Sequence, residues 1–151
     1  RKQKEEEEAA LKDKAGALGL GGSIKFIDSV ASSGADSITD TRKILAVMDV
    51  FVFPSVKEGL GIALLEALAA GKACVASRVG GIEDIITDHE NGLLAGSGDV
   101  LGISKGILEL LSDDSLRARV ADNGRRMVRE KFTLPRMARE LVEVYKSVGD
   151  V

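Results

Sequence analysis

Short, largely apolar runs recur along the sequence, each followed by a stretch with helical spacing. They are Ile24 to Ile27, "VFVF" at Val50 to Phe53, "ACVA" at Ala73 to Ala76, and Leu93 to Ala95. Runs of this length, apolar on successive residues except at Lys25, read as strands buried on both faces. The segments between them read as helices. Residues 3 to 18 carry Leu11, Ala15 and Leu18 at i, i+4 and i+7, Glu8 stands four before Lys12, and Gly19 supplies a stop. The polar stretch "DSVASSGADSITD" is loop by composition, and its Asp40 can cap a helix through about Met48 with Ile44, Leu45 and Met48 inward. Pro54 ends the second run, and "IALLEALAA" makes a helix that closes at Gly71. Gly80 and Gly81 open a short helix reaching about Thr87, Asn91-Gly92 makes a turn, and Asp99 is placed to cap a helix to about Leu111. Three helices finish the chain. Leu116, Val120, Met127 and Val128 mark one apolar face, and Met137, Leu141, Val144, Tyr145 and Val148 another, both read as core.

Four buried-type strands separated by helices predict an α/β fold: a Rossmann-like parallel sheet with helices on both faces. A doubly wound nucleotide domain ordinarily opens on a central strand, whereas this chain opens on a helix, so one or two strands are expected upstream. With 151 residues and 44% hydrophobic content the chain suits a single domain, taken as partial. The net charge of −3 and the lack of a basic stripe argue against a nucleic-acid partner. Cys74, the one cysteine, lies inside an apolar run and reads as a small core residue rather than a nucleophile. No apolar run reaches the length of a membrane span, and the N-terminus is the charged "RKQKEEEEAALKDK", read as a wet helix face. A cytoplasmic protein is expected, with membrane association only through segments outside this sequence.

The segment "PSVKEGLGIALLEALAAGKACVAS", residues 54 to 77, carries most of the chemistry. Glu58 to Gly61 falls between the end of a strand and the start of a helix, where open α/β sheets bind ligands. Free N–H groups and the positive end of the helix dipole favour an anion there, and glycines at 59 and 61 remove Cβ atoms that would hold a phosphate off. A carboxylate repels phosphate, so Glu58 and Glu66 call for hydroxyl donors instead. The stretch lacks the extra Asp or Asn of a metal site. If one helix ran through both glutamates they would stand roughly 12 Å apart along its axis. That is the scale of a diphosphate between two sugars, and it suggests a nucleotide-sugar.

Glu58, seven residues, then Glu66, followed by "VGG" and "NGLLAGSGD", resemble the donor-binding C-terminal half of the group-1, retaining nucleotide-sugar glycosyltransferases of GT-B architecture. The resemblance covers roughly residues 10 to 146. It implies that Glu58 hydrogen-bonds hydroxyls of the transferred sugar near the reacting carbon, as the catalytic residue. Gly59, Leu60 and Gly61 would give backbone contacts to that sugar and the diphosphate, Glu66 would accept from ribose hydroxyls, and Val30 would lie by the nucleotide base. It implies no cofactor or metal beyond the nucleoside-diphosphate sugar substrate, and an acceptor-binding N-terminal domain that this chain lacks.

The sequence departs from the family pattern in places. Asp28 stands where the family has a glycine, Glu83-Asp84 follows "VGGI" where Pro-Glu is usual, and the Arg and Lys that hold the donor diphosphate would lie upstream. Arg78 is the nearest downstream cation, with a sheet-supporting role and a phosphate contact as its two readings. Glu58 could be a solvated helix-start acid, whereas Glu66 inside an apolar helix calls for a partner. His89 reads as a surface residue in its polar turn, and "AGSGD" as a turn with an N-cap. Two other functions remain beside a hexose transferase: another GT-B enzyme such as a nucleotide-sugar epimerase, and a non-catalytic nucleotide-binding module.

Overall fold

The computed structural model describes residues 2–27 and 41–149. The chain divides into two compact units, Arg1–Thr41 and Arg42–Val151. In the first, helix α1 runs Lys2–Ala17, with the expected Glu8–Lys12 ion pair at 2.5 Å. Its end is a Schellman cap. Gly19 takes φ 70°, its N–H donates to the Gly16 carbonyl at 3.0 Å, and the Leu20 N–H donates to Ala15 at 2.9 Å. Of the apolar stripe only Ala15 is buried, while Leu11 and Leu18 stand in solvent. Residues 24–27 do not form the expected strand. Among the described residues of this unit there is no second strand to pair with, and Ile24 and Ile27 remain exposed. The Phe26 ring instead lies 5.6 Å from the Lys12 ammonium. Residues 28 to 40, with Val30 and the expected Asp40 cap, lie outside the described residues.

The second unit opens on helix α2 (Thr41–Val47), whose Leu45 is buried as expected. Three parallel strands follow in the order β1-β2-β3: β1 (Val50–Phe53), β2 (Ala73–Ser77) and β3 (Leu93–Ala95). Val50 pairs with Ala73 and Val75 with Leu93. Every residue of β2 is buried, and its alternating side chains feed two cores. Cys74 and Ala76 pack with Leu64, Leu68, Ile82 and Ile85 from helices α3 (Ile62–Ala69) and α4 (Ile82–Ile85). Ala73 and Val75 pack with Leu110 of α5 (Val100–Ser112) and with Leu116 and Val120 of α6 (Asp114–Lys131). Helices therefore cover both faces, and α6 joins both cores, since its Val128 lies in the first.

The punctuation residues explain the element ends. Gly71 (φ 71°) closes α3 with a second Schellman cap, its N–H donating to Leu68 at 2.9 Å and that of Lys72 to Ala67 at 3.0 Å. Asp99 caps α5 by accepting from the Gly102 N–H at 2.8 Å, and Asp113 caps α6 through the Leu116 N–H at 2.8 Å. Asn91, buried in the turn before β3, donates to the Ile85 carbonyl at 2.9 Å and accepts from the Thr87 N–H at 2.7 Å. Asp88 accepts from the Leu94 N–H at 2.8 Å and so occupies a donor of strand β3. The last helix, α7 (Leu134–Gly149), departs from expectation. Its apolar stripe is present, yet none of its residues is buried, and Met137, Leu141, Val144, Tyr145 and Val148 are all exposed. Periodicity identifies an apolar face but not what covers it, and the reading of this one as core does not hold within the described residues.

Candidate donor site at the carboxyl edge of the sheet

The loop from Pro54 to Gly61 leaves the carboxyl end of β1 and turns into α3. Gly61 is the N-cap in a left-handed conformation (φ 66°, ψ 55°), and no side chain caps the helix. A Cβ there would stand 2.7 Å from Cδ1 of the buried Ile82 as well as straining the backbone, so packing and conformation both demand glycine. Gly59 differs. Its φ is not positive and a Cβ would meet nothing within 4 Å among the described residues, which leave the space beside it open. Of the two glycines expected to admit a ligand, Gly59 borders free space and Gly61 shapes the turn.

Glu58 is half-buried, and its Oε1 accepts from the Gly59 N–H at 3.1 Å. Helix α3 begins four residues later, so no single helix carries both glutamates, and the axial rise between them is not a helical one. Glu66 sits one turn into α3, on the same exposed stripe as Ile62. The inference that it is a buried carboxylate in need of a partner is therefore wrong: the buried face of α3 is Leu64, Ala67 and Leu68, and Glu66 points away from it. Leu60 is likewise exposed. Glu58, Gly59, Leu60 and Gly61 thus share one loop at the carboxyl edge, with Glu66 on the open side of the helix it leads into. Val30 lies outside the described residues.

The neighbouring residues fill structural parts. Arg78 extends the sheet through its N–H to the Ala95 carbonyl (2.7 Å), and its guanidinium pairs with Glu83 at 3.4 Å and Asp88 at 3.8 Å. Those bonds fit its sheet-supporting reading. His89 is exposed and has φ 58°; its ring nitrogens lie 3.1 Å from Asp88 and 3.1 Å from Glu109. Burial pushes the Cys74 thiol up to about 12, far from a thiolate, which fits a core residue. Among the described residues no cluster of three or more His, Cys, Asp or Glu could hold a metal ion, and no helix is long and apolar enough to cross a membrane.

Two features of this edge escape a reading of residue types alone. A cleft of about 180 Å³ opens beside Pro54, Ser77, Gly98, Asp99, Val100 and Ile103, at the ends of β1 and β2 and the start of α5. The glycine pair after β2, expected only to open a helix, lies directly against the Glu58–Gly61 loop. A Cβ at Gly80 would overlap the Glu58 carbonyl oxygen, and one at Gly81 the Gly59 carbonyl oxygen. The signal was a glycine pair just past a strand end, beside a loop already marked as functional.

Residues 4–127 match the family model described as glycosyl transferases group 1. N-acetyl-alpha-D-glucosaminyl L-malate synthase of Bacillus anthracis is 33% identical over 109 residues, which cover 72% of this chain and 29% of that protein. Among solved structures, the C-terminal domain of the group 1 family protein LpcC from Francisella tularensis superposes with a TM-score of 0.73 at 30% identity, over 85% of this chain and 64% of that one. Anabaena Alr3699/HepE, in complex with UDP and glucose, gives a TM-score of 0.84 at 22% identity, over 97% of this chain and 38% of that one, a likeness of fold. The chain spans about a third of the length of the curated relatives it matches. The fold is accordingly that of the C-terminal half of a GT-B enzyme, and the chain belongs to the group 1 glycosyl transferases.

Proposed function

We propose that this chain, as one partial domain, is the donor-binding part of a retaining glycosyltransferase. It moves a hexose-type sugar from a nucleoside-diphosphate sugar to an acceptor held by a domain outside the chain. The observation that carries this reading is the Glu58–Gly61 loop, set at the carboxyl edge of a parallel sheet and running into a helix start that no side chain caps. The diphosphate takes the α3 N-terminus, where N–H groups and the helix dipole meet the charge that grows as the bond to the sugar breaks. Glu58, acceptor-only when ionised, holds sugar hydroxyls close to the reacting carbon, and Gly59 leaves the open space in which the sugar lies. Glu66, exposed on α3 with Ile62, holds the ribose hydroxyls. Val30 is assigned to the base on the family pattern alone. The Anabaena protein holds UDP and glucose; the same class of donor is proposed here, with no metal or other cofactor.

Amide spectra of the isotope-labelled chain, titrated with UDP, GDP and ADP, test the reading. The expected shifts gather on Gly59, Leu60, Gly61 and the first turns of α3 through Glu66. Shifts confined to another face, such as the cleft between Asp84 and Arg126, would overturn it.

A further inference from the structure

The contact between the two loops at the carboxyl edge is made by backbone on both sides. A Cβ at Gly81 would fall within the Gly59 carbonyl oxygen, 3.0 Å from the Gly59 carbonyl carbon and 3.6 Å from the Leu60 Cα. A Cβ at Gly80, which takes φ 43°, would overlap the Glu58 carbonyl oxygen and stand 3.6 Å from its carbon. None of these neighbours is a side chain that could swing aside. Because a Cβ replaces one α-hydrogen, an α-hydrogen of each glycine points at each of these oxygens, the geometry of a weak C–H···O contact. The next residue, Ile82, is fully buried beneath Gly61.

The contact fixes the direction of two peptide planes. The described peptide bonds are trans, so the C=O and N–H of one unit point opposite ways. With the Glu58 and Gly59 oxygens turned onto Gly80 and Gly81, the Gly59 and Leu60 N–H groups turn away from that floor. The Gly59 N–H meets the Glu58 carboxylate at 3.1 Å. The Leu60 N–H has no acceptor among the described residues. We infer that Gly80-Gly81 is a positioning pair: it clamps the carbonyls of the donor loop so that the Leu60 N–H is presented to the donor, while Glu58 stays on the sugar. This rests on the donor-site reading above. On this inference each glycine acts through the loop it supports.

The test uses the full-length protein. Gly81 has φ −64°, so Gly81→Ala brings no backbone strain and changes the contact with the Gly59 and Leu60 backbone. Gly71→Ala is the matched control. It strains a left-handed residue (φ 71°) whose Cβ would meet only the Arg125 side chain, at 3.6 Å, away from the donor loop. Gly81→Ala is expected to lower kcat/KM for the donor on the order of a hundredfold, the scale of an ångström-sized misplacement. It should weaken nucleoside diphosphate binding and leave binding of the bare nucleoside unchanged, a split that general loosening would not give. Gly71→Ala should lose stability and keep its kcat/KM. A folded Gly81→Ala protein with kcat/KM within about threefold of wild type would overturn the clamp. If that variant does not fold, the wild-type Leu60 amide decides: it should shift on saturation with UDP, and an unmoved resonance would count against the proposal. A wild-type protein that neither binds a nucleoside diphosphate nor transfers sugar ends the donor-site reading, and the clamp with it. Transfer by both wild type and variant at equal rates ends the clamp alone.

Discussion

Glu66 lies in the open on the outer stripe of α3, so its carboxylate can take a ligand without first giving up a side-chain partner among the described residues. Glu58, half-buried and already accepting from the Gly59 N–H, is held closer to one geometry. Different outcomes are therefore expected in the full-length enzyme. Glu66→Ala should weaken UDP and donor alike, by about tenfold, the scale of a hydrogen bond to a charged group. Glu58→Gln should lower kcat more than it changes nucleotide affinity. Calorimetry beside steady-state kinetics separates the two, and UDP affinity untouched by Glu66→Ala would remove the ribose assignment. Cys74 gives a prediction independent of function. Its thiol lies at about 12 against an ordinary 9.0 because burial penalises the thiolate. The folded chain thus holds this proton more tightly than the unfolded one. The corresponding stability is complete below pH 9 and is lost as pH rises towards 12. At pH 8.5 iodoacetamide should modify native Cys74 far more slowly than the unfolded chain; equal rates would mean the thiol is not enclosed. Both glutamates stand out in the sequence as candidates because their spacing around glycines is local. The exposure of Glu66 could not, since it depends on which face of α3 the sheet takes.

At the scale of elements, local chemistry was the most legible part. Gly19 and Gly71 stop helices through backbone geometry that needs only neighbouring residues, and Asp99 caps α5 by reaching three residues along. "VFVF" and "ACVA" announced strands through apolar content on both faces. The run at 24–27, broken by Lys25, forms no strand, and among the described residues of its unit no other strand offers an edge to pair with. The stripe on α7 shows the same limit for helices: the apolar face is real, but none of its residues is buried within the described chain. Gly124, a weak helix former by residue type, is where α6 meets α3. A Cβ there would stand 2.6 Å from Cδ2 of the buried Leu68 and 3.1 Å from the Asn91 carbonyl oxygen. In an exposed helix Gly→Ala gains close to 1 kcal/mol. Here overpacking should outweigh it, and Gly124→Ala is expected to destabilise by about 1–3 kcal/mol in urea unfolding. A stabilised variant would mean that the α3–α6 crossing is looser than it stands.

For the molecule as a whole, the chain holds the α3 start and Glu66 but spans only about a third of its relatives' length. Alone it is expected to bind a nucleoside diphosphate weakly, near millimolar or about 4 kcal/mol, because the diphosphate stays in water and screened by salt. It should transfer no sugar, since a dry cleft needs a second wall. Saturable transfer by the chain alone would contradict this. The parallel α/β class was legible from the alternation of runs, whereas the order β1-β2-β3 was not, because pairing is a long-range property. That order, identical to the order along the chain, carries a consequence for assembly. Each pairing joins residues roughly twenty positions apart, a loop whose closure costs little more than a shorter one. No strand must wedge between two that are already paired. The sheet can therefore grow in the direction of synthesis: β1 and β2 can join across α3 while β3 is still being made, and β3 then adds to an edge that already exists.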